Sequence, residues 1–137
     1  MKNLKKLSTN IAIIPARSGS KRIKNKNIKI FNKKPIIYWS IKAAKESKIF
    51  DRIIVSTDSK KIAKISNKYG VETPFIRKKK LAQDTTSTVD VVRDAIKNSN
   101  IYHAKVCCIY PCAPLISSKD LIKAYKKLRK NIDFVFS

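Results

Sequence analysis

Three short apolar runs, NIAIIPA at 10–16, RIIVST at 52–57 and AKVCCIY at 104–110, constrain this chain more than any other feature. None alternates apolar with polar residues, so each reads as a strand buried on both faces, as in a parallel sheet. Parallel neighbours need crossovers of a dozen or more residues, normally helical and right-handed. The intervening stretches supply them. From Pro35, acceptable at a first helical position, Ile36, Ile37, Ser40, Ile41 and Ala44 recur at helical spacing. Asp58 reads as the N-cap of a helix carrying Ile62, Ala63, Ile65 and Tyr69 and closed by Gly70. A short strand is expected around 71–76. The hydroxyls of DTTSTVD and Asp84 start a helix bearing Val89, Val92, Ala95 and Ile96, and Ser117 with Asp120 forms a capping box for one running to about Lys130. DFVFS (133–137) begins another strand. The prediction is an α/β chain with a mostly parallel sheet covered on both faces; 137 residues suit a single domain.

Charge narrows the partners. Thirty-two Lys plus Arg against nine Asp plus Glu give +23, which invites a nucleic-acid reading. Lysine outnumbers arginine 26 to 6, however, and lies on nearly every amphipathic segment rather than in one stripe. Aromatic residues are not interleaved with it as base stacking requires. The bulk of the charge therefore reads as solvated surface, and nucleic acid is not the expected partner. One local feature survives: residues 1–45 contain no acid, so an anion there meets little repulsion. No apolar run approaches the length needed to cross a bilayer, and IAIIPA is too short for a signal-peptide core. A soluble, cytoplasmic protein is expected, without a membrane partner.

Cys107, Cys108 and Cys112 form no CxxC pair, and His103 has no ligand-like spacing to them. Buried, reduced thiols are expected rather than a disulfide or zinc site. His103 reads as a surface strand-edge residue. Tyr38 and Trp39 share helical spacing with Ile36 and Ile41 and read as core. Ser117 and Ser118 read as caps, and the RKKK run at 77–80 as a solvated loop apart from Arg77.

Ligands of open α/β sheets sit beyond the carboxyl ends of the strands. Three segments lie there: PARSGSKRIKNKN, STDSK and YPCAPLIS. The first joins a backbone-permissive Gly19 and the hydroxyls of Ser18 and Ser20 to the cations Arg17, Lys21, Arg22, Lys24 and Lys26. Such a turn can form an anion-binding nest for phosphate. Neither GxxxxGK[ST] nor GxGxxG is present.

The order of residues is more specific. IPARSGSKRIKNKNIKIFNKKPIIYWSI, followed by FDRIIVSTDSKKIAKISNKYGVETPFIR, resembles the start of the sialic-acid-type cytidylyltransferases, the CMP-sugar synthetases. VCCIYPCAPLI is most similar to the pseudaminic acid branch of that family. The resemblance spans about Ile11 to Ser137. It implies a Rossmann-like sheet of the nucleotide-diphospho-sugar transferase type, with a basic tail at 1–9 and the N-terminal, nucleotide-binding part of a longer catalytic domain at 10–137. It also implies coupling of CTP to a nonulosonic acid, giving a CMP-sugar and pyrophosphate for surface glycan or flagellin glycosylation.

By the same resemblance, Arg17, Lys21 and Lys26 are the catalytic cations. Arg17 and Asn27 hold CTP, Lys21 and Lys26 take its phosphates, and Ser18, Gly19 and Ser20 complete that loop. Arg77 supports the nucleotide, although the family's usual Arg-Pro is Arg77-Lys78 here. Thr86 and Thr88 fall where hydroxyls flank the nucleotide. Tyr110 takes the position of a base-contacting glutamine, which implies recognition of the base by backbone groups. Magnesium is implied, with carboxylate ligands in a second half expected to begin where this chain ends, so none is assigned here; Asp58 and Asp84 are read as a helix cap and a loop hydrogen bond. A homodimer is implied for the complete enzyme. The alternatives are a non-catalytic basic α/β module that binds nucleic acid, and an inactive fragment of the enzyme.

Overall fold

The structure, a computed structural model, describes residues 9–102, 104–128 and 131–136. The first strand, β1 (Thr9–Pro15), is followed by a small antiparallel hairpin of β2 (Ile30–Phe31) and β3 (Lys34–Pro35) and by helix α1 (Ile37–Ser47). Then come β4 (Arg52–Ser56), α2 (Lys60–Lys68), α3 (Thr88–Asn98), β5 (Ala104–Cys108) and α4 (Ser118–Lys127). The sheet order is β4-β1-β5 and both pairings are parallel. Ile11 stands between Arg52 and Val106, and Ile13 between Ile54 and Cys108. The expected short strand at 71–76 appears as two parallel bridges to β4, Ile54 with Glu72 and Thr57 with Ile76.

Burial follows the period of two along β1. Ile11 and Ile13 point to one face, where Ile54, Ala95 of α3 and Ile101 close over them. Ala12 and Ile14 point to the other, against Ile37, Ile41 and Ala44 of α1, Ile62 of α2 and Leu121 of α4. All four β1 side chains have no exposure. Sealing each Ile contributes about 1.5–3 kcal/mol, so the central strand anchors both layers. This two-faced burial is what the uninterrupted apolar run of β1 predicted; β5 departs from it, with Ala104, Val106 and Cys107 half-buried and Lys105 and Cys108 exposed. No helix among the described residues is long and apolar enough to cross a membrane.

Several local expectations are corrected. The segment 17–34 is not uniform loop, since it holds the β2–β3 hairpin, turned through Asn32 and Lys33, both with positive φ. Pro35 ends that hairpin instead of opening α1, and Trp39 Nε1 donates to the Phe31 carbonyl at 3.1 Å, binding hairpin to helix. Tyr38 and Trp39 are half-buried there, not in the core. Ser59, not Asp58, caps α2, its hydroxyl accepting from the Ile62 amide at 3.3 Å. On α3 the inward residue is Val91 while Val89 is 57% exposed. The capping box on α4 forms as expected, but the helix stops at Lys127.

No strand forms over 132–136, where no described strand lies alongside; Phe134 and Phe136 stack on each other, 6.4 Å apart. The three cysteines are free, yet none is fully buried: Cys107 and Cys112 are half-buried and Cys108 is exposed. Burial and the adjacent Cys108 push the Cys107 thiol up to about 11. Thr9, assigned to the tail, is the first residue of β1; the rest of the tail, His103, Lys130 and Ser137 lie outside the described residues.

Candidate active site

The parallel sheet brings three loops to one edge, after β1, β4 and β5, as the fold requires. They are tied together by short, specific bonds. Asp58, leaving β4, accepts from the Ser18 amide at 2.8 Å and from the Ser18 hydroxyl at 2.6 Å. Asn27 sits in a 3-10 turn (Lys26–Ile28) entered through Asn25 in the left-handed region, and is buried. Its Nδ2 donates to the Arg17 carbonyl at 2.8 Å, while its Oδ1 accepts the Cys112 thiol hydrogen at 3.1 Å. One amide thus joins the loop after β1 to the loop after β5. The buried Ser40 of α1 holds the latter from beneath, its hydroxyl donating to the Tyr110 carbonyl at 2.7 Å.

These ties leave a cleft of about 530 Å³. Of the residues singled out from the sequence, Arg17, Ser20, Lys26, Asn27, Arg77, Thr86, Thr88 and Tyr110 all line it. Gly19 and Lys21 line an adjoining recess of about 430 Å³ that shares Arg17 and Ser20. Ser18 lines neither; Asp58 occupies it. Gly19 does not use its conformational freedom, having no positive φ and nothing within 4 Å of a notional Cβ. Thr88 and Tyr110 touch through their hydroxyls at 3.2 Å, and Tyr110 is otherwise exposed. Its carbonyl is already engaged by Ser40, which reduces what the backbone at 110 can offer a base.

Arg77 is the electrostatic centre. Its backbone N–H donates to Thr57 at 2.8 Å, fixing it beside the end of β4, and only 3% of the residue is exposed. Its Nε and Nη2 are buried with no hydrogen-bond partner among the described residues. Burial drives its pKa down, Asp58 and then Asp94 push it back up, and Arg17 adds repulsion. A guanidinium held this way is costly unless something anionic or carbonyl-bearing completes it.

Sequence reasoning missed the parts that depend on long-range contact. Cys112 and Ser40 are separated from their partners by 85 and 70 residues and obey no local pattern. Pro111, beside Cys112 in the same lining, carried a local signal: a proline just past a strand's carboxyl end. Asp84 is not a simple loop hydrogen bond: it pairs with Arg17 Nη2 at 2.5 Å and with Lys21 Nζ at 2.6 Å. Those two donors, Lys21 first, hold its carboxyl below the usual aspartate range. Asp58 and Asp84 are both engaged, and no group of three or more His, Cys, Asp or Glu gathers among the described residues.

The arrangement is a cationic cleft with amide, hydroxyl and apolar walls, suited to a ligand with both a polyanionic and a planar part. Comparisons with known proteins give the family. Pseudaminic acid cytidylyltransferase of Campylobacter jejuni is 44% identical over 125 residues, covering 89% of this chain and 54% of that protein. CMP-N,N'-diacetyllegionaminic acid synthase of the same organism is 46% identical over 97 residues, 71% of this chain and 41% of that protein. The chain thus spans about half the length of the curated relatives it matches. Among solved structures, a CMP:2-keto-3-deoxy-manno-octonic acid synthetase complexed with CTP superposes with a TM-score of 0.77 at 19% identity, covering 90% of this chain and 48% of that one. That likeness shows a shared α/β fold. Since the family model described as Cytidylyltransferase matches residues 11–136, nearly the whole chain, the protein belongs to the cytidylyltransferase family.

Proposed function

We propose that this chain carries the CTP-binding half of a CMP-sugar synthetase that joins CTP to a nonulosonic acid, pseudaminic acid, with release of pyrophosphate. The observation that supports it most is the meeting of Arg17, Lys26, Asn27 and Arg77, from separate loops, in one cleft of about 530 Å³. In this reading the sugar's anomeric hydroxyl attacks the α-phosphorus and pyrophosphate leaves. Such transfer needs little covalent work from the protein; positioning and charge stabilisation supply most of the acceleration. Arg17 and Lys26 oppose charge that grows on the departing oxygens. Asn27 holds the loop carbonyl that aims Arg17, and Arg77 completes its hydrogen bonding on the nucleotide.

Magnesium belongs to the proposal, and no step is assigned to it. A homodimer and a cytoplasmic location, where CTP is made, belong to the proposal as well. The sugar is tested by pyrophosphate release. CTP and magnesium are supplied with pseudaminic, legionaminic or sialic acid in turn, and release is expected with pseudaminic acid first. Turnover with sialic acid alone would overturn the sugar assignment, and no turnover with any sugar would overturn catalysis by this chain.

A further inference from the structure

Asp84 offers a carboxylate to Arg17, which the proposed function sets against phosphate charge, and to Lys21, which the family resemblance assigns to the phosphates. It reaches Arg17 from the segment between the 3-10 turn Lys79–Leu81 and α3, and Lys21 from the same atom pair's other side, Oδ1 on the first and Oδ2 on the second. A carboxylate bridging two cations through its two oxygens offers them two anionic acceptors, as a phosphate group does. Asp84 is also the carboxylate nearest this recess: Asp58 is spent on Ser18. The pairs are not sealed. Lys21's side chain is 84% exposed and those of Arg17 and Asp84 are 35% exposed each, so solvent and mobile anions compete for them and each pair is weak on its own.

We propose that Asp84 is a tethered stand-in for phosphate: it holds the recess between Arg17 and Lys21 until a phosphate group displaces it, and so sets how tightly phosphate-bearing ligands bind. A tethered competitor acts by mass action. The apparent affinity for a ligand that needs the recess falls by the fraction of molecules in which Asp84 has vacated it, whereas a ligand that leaves the recess alone loses nothing. The carboxylate therefore penalises anions arriving without further contacts, and a nucleotide triphosphate overcomes it through Arg77, Asn27 and the remaining wall. The inference rests on the nucleotide-site reading and names what regulates that site.

Calorimetric titration of the full 137-residue chain tests it, in buffer containing EDTA, with inorganic pyrophosphate and with cytidine as separate probes. Asp84→Asn is nearly isosteric and removes the competing charge; Glu46→Gln, on the exposed side of α1 and paired with Lys42 at 3.8 Å, removes one charge elsewhere. Asp84→Asn is expected to bind pyrophosphate about five-fold tighter with cytidine unchanged, and Glu46→Gln to bind both as the unaltered chain does. Asp84→Ala, measured alongside, should show the same gain. Pyrophosphate binding that is unchanged or weaker in both Asp84 variants overturns the proposal, as does an equal gain in Glu46→Gln, which would reduce it to net charge. Equal affinity of the unaltered chain for CTP and ATP would instead sink the nucleotide reading, and leaves the pyrophosphate comparison to be judged by itself.

Discussion

Cys112 spends its only donor on Asn27 Oδ1, and that bond decides which way the Asn27 amide faces. With Oδ1 toward the thiol, Nδ2 points to the Arg17 carbonyl at 2.8 Å. Replacing Cys112 by Ser keeps a donor, whereas Ala removes it and leaves a buried acceptor unsatisfied, at about 1–3 kcal/mol. Cys112→Ser is expected to bind CTP close to normally, and Cys112→Ala about five-fold or more weakly, as measured by calorimetry. Equal weakening in both would assign the thiol a packing role only. At this scale the sequence is informative where the lining is local: one contiguous basic segment, 17–27, supplies Arg17, Ser20, Lys26 and Asn27 to the cleft. It was silent on Cys112 and Ser40, because a hydrogen bond across 85 or 70 residues leaves no periodicity. Asp58 was misread for a related reason. An acid before a helix resembles a cap until Ser18 claims it.

Strands and helices were the more legible level. Runs buried on both faces have few alternatives, and the capping box of Ser117 and Asp120 is a local device that local sequence can announce. The hairpin at 30–35 was illegible because its four strand residues make no pattern, and its turn relies on Asn32 and Lys33 accepting positive φ. The segment at 71–77 is held to β4 partly by side chains. Arg52 meets Glu72 through Nε at 3.0 Å and Nη2 at 2.7 Å, and its Nη1 donates to the Ser99 carbonyl at 3.1 Å. The guanidinium hydrogen bonds pull the Glu72 pKa below its ordinary value of 4.5. A depressed carboxylate adds stability that is full above the ordinary value and drains away as pH falls through the lowered one. Both side chains are partly exposed, so Glu72→Gln is expected to cost about 0.5 kcal/mol near neutral pH. It should also flatten the acid limb of a stability-against-pH curve recorded by urea unfolding. A variant curve parallel to the original down to pH 3 would show that the pair does not carry that limb.

For the molecule as a whole, the +23 charge and the parallel sheet made opposite suggestions about partners. The sheet prevails because it gives the charge an address. Lysines such as Lys60, Lys61, Lys64 and Lys68 of α2 stand exposed on a helix face and act at long range, where salt screens them. Arg17, Lys26 and Arg77 line a cleft whose walls also carry Asn27, Thr86, Thr88 and Tyr110. A site built that way reads more than charge, whereas a solvated basic surface binds any polyanion with a steep salt dependence. The measurement that separates the two is calorimetric titration of the 137-residue chain with CTP and with ATP, at low and at physiological salt, beside Arg17→Ala. The account predicts one CTP per chain, bound at least about ten-fold tighter than ATP at both salt concentrations, and loss of that binding in Arg17→Ala. Indistinguishable CTP and ATP affinities, falling together with salt and persisting in Arg17→Ala, would contradict it.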